Sequence, residues 1–333
     1  MRKDIGIDLG TDSTMIYLRS KGLVLSEPTC VVVDNDSKGI IAIGNNAREM
    51  IGKTPKNITA VEPLKNGVIS DFDATEEMLS YFIKKALTKK GVVKPRVIAC
   101  TPYDASPVEK KAIEEAILQA GAREVIIVDE PMAAAIGIGL PVEEPVASMI
   151  VDIGAGTSEA SVISLNGIVS STSVRVGGND FDRFIMQYIK RKYGVYIGEA
   201  SAEAIKIELC SLSDEVSEES VEVKGRDTVT GLPKSVMVNS VEISECVQPL
   251  VERIIDVIKE TLENTPPELS ADILEKGIVL CGGGCLIKGM CSCLSSKTGM
   301  MVFLSENPKE AVVLGTGKLL EEFDFVRRDF GLK

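Results

Sequence analysis

Apolar residues follow two alternating rhythms along this chain. Runs in which nearly every position is aliphatic read as buried strands: Ile5–Leu9, Val97–Cys100, Val125–Val128, Met149–Ile153 and Gly277–Cys281. Between them, apolar residues return every three or four positions. In Thr75–Lys90 this spacing puts Met78, Leu79, Phe82, Ile83, Ala86 and Leu87 on one helical face. In Pro107–Ala120 it does the same for Val108, Ala112, Ile113, Ala116 and Ile117. A long amphipathic helix is expected over Ser244–Leu262, stopping before Pro266-Pro267. Strands that alternate with helices predict an α/β protein.

One strand pattern occurs twice. Ile5-Gly6-Ile7-Asp8-Leu9-Gly10-Thr11 recurs as Met149-Ile150-Val151-Asp152-Ile153-Gly154-Ala155-Gly156-Thr157. In both, an apolar strand ends in Asp, with Gly and Thr close behind. Both then enter a second strand-like run, Met15–Leu18 and Ala160–Ile163. Each reads as a hairpin with a glycine turn, and the chain as two related halves. The acidic stretch within Ser211–Arg226 predicts a solvated loop over Ser213–Ser220.

Composition narrows the chemistry. At 333 residues and 44% hydrophobic, the chain can bury more than one core, which favours two domains. It contains no histidine, so Ser-His-Asp and Cys-His catalysis and His-ligated metals are excluded. The net charge of −12 disfavours nucleic acid and requires a local patch for any anionic lipid. No apolar run reaches bilayer length and the N-terminus has no leader-like core, so a cytoplasmic location is expected. The eight cysteines are then expected to be thiols. The late group Cys281, Cys285, Cys291 and Cys293 lacks the paired spacing of a zinc site and reads as packing between a strand and a helix.

The remaining chemistry points to phosphate. Glycines let backbone N–H groups approach an anion closely, and a Thr hydroxyl adds a donor. A carboxylate at the strand end would repel bare phosphate, so it requires a cation such as Mg²⁺ between them. Two such turns can grip a triphosphate from both sides. A third cluster, Gly282-Gly283-Gly284, follows the run Ile278–Cys281 and precedes a helix-like stretch from Leu286 to Leu294, again a geometry for close ligand approach.

These motifs resemble the actin, sugar-kinase and heat-shock chaperone superfamily: Asp8–Thr11 its first phosphate hairpin, Asp152–Thr157 its second, Gly282–Gly284 its adenosine loop. Within it the chain most resembles the MreB family of bacterial cell-shape proteins. The stretches that carry this include Ile51–Pro55, Pro63–Ile69, Lys94–Val97, Glu130–Gly137, Ala202–Glu208 and Thr265–Leu269, and the resemblance runs from about residue 3 to about residue 320.

The resemblance implies an actin-like two-domain ATPase fold with a duplicated ribonuclease H-like core and four subdomains around a nucleotide cleft. They would comprise residues 1–32, 66–140 and 311–333 (IA), 33–65 (IB), 141–175 and 238–310 (IIA), and 176–237 (IIB). It implies ATP or ADP as ligand, with Asp8 and Asp152 holding Mg²⁺ through water. Glu130 would orient the attacking water, with Thr157 helping to place it, and Glu203 and Lys206 would contact adenosine. The turns would contribute Gly10, Thr11, Asp12, Gly154, Ala155 and Gly156, and the third loop Gly282, Gly283 and Gly284. By the same resemblance the protein is a slow ATPase that polymerises into filaments guiding cell shape at the inner face of the membrane, with lipid and cell-wall elongation proteins as partners.

Some positions depart from the family pattern. Asp12 stands where a small or uncharged residue is usual, Ala155 where many members have Gly, and Ser158 where Thr is usual. Val176–Asp182 reads more like the chaperone branch. A second carboxylate beside the phosphates would weaken nucleotide binding or shift the metal, so the alternative is a filament scaffold with little hydrolysis. A small-molecule kinase is a weaker rival, because the insertions at 33–65 and 176–237 leave little room for a substrate domain. A chaperone ATPase is another, in a chain that shows no peptide-binding domain. Membrane contact would fall on Val92 and Val93, among Lys84, Lys85, Lys89, Lys90, Lys94 and Arg96.

Overall fold

The computed structural model describes residues 4–87, 94–213, 218–323 and 326. The chain divides into two units: Met1–Ser148 with Ile163–Ile168 and Lys309–Lys333, and Met149–Val162 with Val169–Pro308.

Unit 1 is built on a five-stranded sheet. The strand Ile5–Leu9 pairs antiparallel with Ser13–Leu18, in register from Ile5 opposite Leu18 to Leu9 opposite Thr14. Ser13–Leu18 pairs antiparallel with Gly22–Pro28. On the other side of Ile5–Leu9 lie two parallel strands, Arg96–Thr101 and then Glu124–Asp129. Helices Phe72–Leu87 and Pro107–Gln119 supply Met78, Leu79, Phe82, Ile113 and Ile117 to a core with Ile7 and Ile16 from the sheet. Each such side chain contributes roughly 1.5–3 kcal/mol by leaving water. A smaller three-stranded sheet of Val31–Asp34, Ile40–Ile43 and Ile58–Val61 has its own cluster at Cys30, Val32 and Ala47.

The sheet of unit 2 repeats this plan. Its order is Gly167–Val174, Ser158–Ser164, Ser148–Ile153, Ile278–Cys281, Val302–Leu304, the last three parallel. Both sheets thus carry three strands consecutive in sequence, then two parallel strands beyond the first of them, as a duplication requires. Helices Gly178–Tyr193 and Ser240–Glu263 bury Phe181, Ile185, Val247, Ile254 and Ile258. A second small sheet is made of Val195–Tyr196, Ser220–Asp227 and Pro233–Asn239.

Local signals explain the helix limits. Pro107–Gln119 opens with Ser106 and Glu109 as a reciprocal capping box and Pro107 in the first turn. Its Val108 is 78% exposed, contrary to the expected inward face. The buried positions of this helix are Ile113, Ala116 and Ile117, all after its first turn. The long helix begins at Ser240, four residues before the expected start, because Asn239 and Glu242 cap it. Ser220 already opens a strand, shortening the expected loop. A 3₁₀ turn, Gly283–Leu286, takes in the last two glycines of the third cluster, and the helix proper is Met290–Thr298, later than the expected start at Leu286.

Helices Glu130–Ile138 and Ala311–Leu319 cross at their glycines. A side chain on Gly137 would strike the Ala311 carbonyl at 1.9 Å, and one on Gly315 the Ala133 carbonyl at 1.8 Å. Only backbone-to-backbone approach fits here. Lys318 adds bonds from its ammonium to the carbonyls of Ile136 and Gly137, at 2.8 and 3.1 Å.

Candidate nucleotide-binding site

In unit 1 the parallel strands Ile5–Leu9, Arg96–Thr101 and Glu124–Asp129 release their C-terminal ends along one edge. In open α/β sheets that edge receives ligands. Asp8 stands near the end of the first strand, and Asp129 and Glu130 at the end of the third. The intervening Cys100 registers all of them. Its thiol is pushed well above the ordinary range by burial, then by the charges of Asp8, Glu130 and Asp129. Glu130 is the first residue of its helix, behind Asp129 as N-cap. Lys110 holds Asp129 at 2.7 Å.

The first glycine turn is fixed from several directions. Gly10 N–H donates to the Ser13 carbonyl at 3.1 Å. The Thr29 hydroxyl donates to the Gly10 carbonyl at 2.8 Å, which makes Thr14 the donor in its own 2.8 Å bond with Thr29. Gly67 N–H donates to Thr11 Oγ1 at 2.9 Å, so the Thr11 O–H keeps its proton for another acceptor, such as a phosphate oxygen. Asp12, the charge that departs from the family pattern, pairs with Arg48 at 2.9 Å.

Unit 2 presents the corresponding edge. Asp152 lies beside Cys281 in the parallel pair. Burial pushes its carboxyl up to about 6, against a hydrogen bond from the Cys281 thiol. Gly154 N–H donates to the Thr157 carbonyl at 2.9 Å, closing a turn like the one at Gly10. The turn is braced by the start of helix Gly178–Tyr193. Gly178 N–H donates to the Gly154 carbonyl and Asn179 N–H to the Ala155 carbonyl, both at 2.9 Å. Gly177 sits so close that a side chain there would meet Ala155 C and O at 2.5 Å and Gly156 N at 2.7 Å. The Ser158 hydroxyl donates to the Val176 carbonyl at 2.7 Å, so the missing Thr methyl leaves this anchor intact.

The third glycine cluster meets the second turn directly. Gly282, at φ +84°, faces Asp152 so closely that a Cβ would lie 2.3 Å from its Oδ1, and one on Gly284 would lie 2.5 Å from Ile153 Cγ2. Lys206 Nζ donates to the Gly178 carbonyl at 2.9 Å and to Asp182 Oδ2 at 2.8 Å. It therefore belongs to the brace behind the turn, and Glu203 lies one helical turn before it on Glu199–Leu209.

Unit 1 thus gathers Asp8, Gly10, Thr11, Asp12 and Glu130, and unit 2 gathers Asp152, Gly154, Ala155, Gly156, Thr157, Lys206 and Gly282–Gly284. Arg48, Thr29, Gly67 and Asp182 join these residues as supports of the turns. Gly67 and Asp182 lie inside stretches already noted, but no local pattern marks Arg48 or Thr29. Val92 and Val93 lie outside the described residues. Of the basic residues around them, Arg96 is buried against Asp4 at 2.6 Å and stacks 4.0 Å from the Phe323 ring centroid, so it offers no surface charge. Lys85 is paired with Glu27.

The donors present suit a hard cation beside phosphate: carboxylates at strand ends, next to glycine turns. Two units of one plan, each with a strand-end Asp and a glycine turn, define an actin-like fold. The chain superposes on MreB5 of Spiroplasma citri, solved with AMPPNP, at a TM-score of 0.93, with 34% identity and 99% of each chain covered. It also matches the MamK double helical filament subunit in fold, at 0.82 and 23% identity, covering 96% of this chain and 99% of that one.

The MreB/Mbl protein family model matches residues 2–328. The chain is 48% identical over 328 residues to cell shape-determining protein MreB of Escherichia coli (strain K12), covering 96% of this chain and 94% of that one. It is 44% identical over 322 residues to cell shape-determining protein Mbl of Bacillus subtilis (strain 168), covering 97% of each. The chain belongs to the MreB/Mbl family of actin-like cell-shape proteins.

Proposed function

We propose that this protein binds ATP with Mg²⁺, polymerises in that state, and uses slow hydrolysis to time filament turnover while the filaments direct cell shape. The observation that carries this is the pair of matched glycine turns, each ending a strand that bears an Asp. The MreB5 relative was solved with AMPPNP and with ADP, which supports the same ligand class here.

Bound nucleotide and Mg²⁺ would supply the phosphoryl group and the charge neutralisation on which phosphoryl transfer depends. Asp8 and Asp152 would hold the cation, and the turns that Gly10 and Gly154 open would offer donors to phosphate oxygens. Thr11 and Thr157 offer hydroxyl donors. Glu130, at the start of its helix, accepts a proton from the attacking water or orients it. Glu203 would contact the adenosine, and Lys206 would support the site through its bonds to the Gly178 carbonyl and Asp182. The four-subdomain division follows on this reading, with the two small sheets as the small subdomains.

No helix among the described residues is long and apolar enough to cross a membrane. The filaments are proposed to lie in the cytoplasm against the inner membrane face through Val92 and Val93, with elongation proteins as partners.

The test is electron microscopy and phosphate release with Mg²⁺-ATP, beside Glu130→Ala. Filaments in both, with phosphate release lowered at least tenfold and filaments persisting longer in the variant, are expected. Equal phosphate release would remove Glu130 from the mechanism. The absence of filaments under every nucleotide condition would leave only a nucleotide binder.

A further inference from the structure

The first glycine turn carries a charge that phosphate binding does not need. Asp12 lies between Thr11, whose hydroxyl the Gly67 N–H anchors, and Ser13, whose carbonyl closes the turn. Its own carbonyl accepts the Thr29 N–H at 2.8 Å, so the residue cannot swing away with the backbone. Its carboxylate would stand beside incoming phosphates uncompensated, but for Arg48 NH1 at 2.9 Å. Arg48 comes from the single-turn helix Asn45–Arg48, next to the small sheet of unit 1.

The surroundings are acidic. The buried Cys30 next door feels Arg48 on one side of the balance and Asp12, Glu62 and Glu27 on the other. Glu27 is already taken by Lys85. Both partners of the Asp12–Arg48 pair are substantially exposed, at 45% and 39%, and such a pair contributes little to folding. Its consequence lies in the field at the turn, which reaches about a Debye length, ~8–10 Å.

We propose that Arg48 is a specificity-determining residue for the polyphosphate. By cancelling the Asp12 charge, it sets how strongly this turn prefers a nucleoside triphosphate over ligands with fewer phosphates. This rests on the nucleotide-binding reading above. A field effect scales with ligand charge: largest for the triphosphate, smaller for the diphosphate and absent for adenosine. A structural effect of the pair would weaken all three alike.

The experiment is calorimetric titration of the full chain, below its assembly concentration and with Mg²⁺, using AMPPNP, ADP and adenosine at low and high salt. Arg48→Gln should weaken AMPPNP binding about threefold to tenfold at low salt, as expected for one unit charge at screened range. ADP binding should weaken less, adenosine binding should not change, and high salt should compress the differences. Asp12→Ser should tighten AMPPNP binding, because the turn then loses its negative charge. The double variant should bind AMPPNP more tightly than Arg48→Gln alone.

Equal weakening of adenosine and AMPPNP would overturn the inference, as would a double variant no better than Arg48→Gln. If the wild-type chain binds neither AMPPNP nor ADP, the nucleotide-binding reading fails and the inference falls with it.

Discussion

Two adjacent glycines should behave oppositely when a single methyl group is added. At Gly177 the backbone is extended, with φ −154° and ψ −171°, so alanine meets no dihedral penalty. The obstacle is contact. Its Cβ would lie 2.5 Å from Ala155 C and O and 2.7 Å from Gly156 N, about 1 Å inside ordinary carbon contact. These atoms are the backbone of the second glycine turn and cannot rotate aside. Either the turn or the helix start must move, at a cost of about 1–3 kcal/mol for overpacking. The bonds from Gly178 to Gly154 and from Asn179 to Ala155 would lengthen, at about 1 kcal/mol each. A total loss of about 3–5 kcal/mol is expected for Gly177→Ala, with nucleotide affinity falling at least tenfold.

A Cβ on Gly178 would meet nothing nearer than Lys206 Nζ at 3.5 Å, with Ala155 Cα and the Gly154 carbonyl oxygen at 3.8 Å, all ordinary contacts. Because helix formation favours alanine over glycine, Gly178→Ala should stay within about 0.5 kcal/mol of the parent. Urea unfolding followed by far-UV circular dichroism suits a chain without tryptophan, and titration with AMPPNP reports the turn. The reasoning is refuted if Gly177→Ala unfolds and binds like the parent, or if Gly178→Ala is equally damaging.

Other expectations follow from groups already placed. Glu242 is buried and accepts bonds from Tyr188 and Tyr193 hydroxyls at 2.8–2.9 Å, from Asn239 N–H at 2.7 Å, and from Lys192. Burial pushes its carboxyl up, but Lys192, Asn239, Tyr193 and Tyr188 together hold it below the ordinary range. Glu242→Gln should cost about 2–3 kcal/mol at pH 7 by urea unfolding. A lowered carboxylate stabilises the fold above its unfolded value of ~4.3 and loses that contribution as pH falls below it. The gap between parent and variant should therefore shrink as pH drops below ~4.5, and a gap independent of pH would contradict the ionised role. At the membrane, Val92→Ser/Val93→Ser should lower co-sedimentation with anionic liposomes severalfold, and unchanged co-sedimentation would remove these residues from lipid contact.

Much of the site was legible because a turn writes itself locally. A strand, an Asp and a glycine within a few residues suffice to mark the hairpins at Asp8 and Asp152. The partners that hold those turns are distant in sequence. Thr29 bonds Gly10 and Arg48 bonds Asp12 only because the sheet and small helix bring them there, and no periodicity records it. Lys206 shows the same limit. Its spacing from Glu203 gives a shared helix face, but not the Gly178 carbonyl and Asp182 carboxylate that it meets. Val108 fits the helical period and is still exposed, because periodicity identifies a face without fixing where the neighbouring layer ends. The early start at Ser240 was readable in principle: Asn239 followed three residues later by Glu242 is a capping pattern in plain sequence.

The crossing of Glu130–Ile138 with Ala311–Leu319 sets an order on synthesis. Unit 1 contains the first 148 residues, yet its helix Glu130–Ile138 lacks its backbone-close partner until residues 311–319 have been made. Unit 2 needs almost nothing after Pro308. On the ribosome, where domains ordinarily fold in the order they emerge, the later unit can finish first and the earlier one must wait. During that wait the helix that begins with Glu130 exposes its small-residue face, so chaperone capture of nascent chains should be densest between completion of residue 138 and arrival of residue 319.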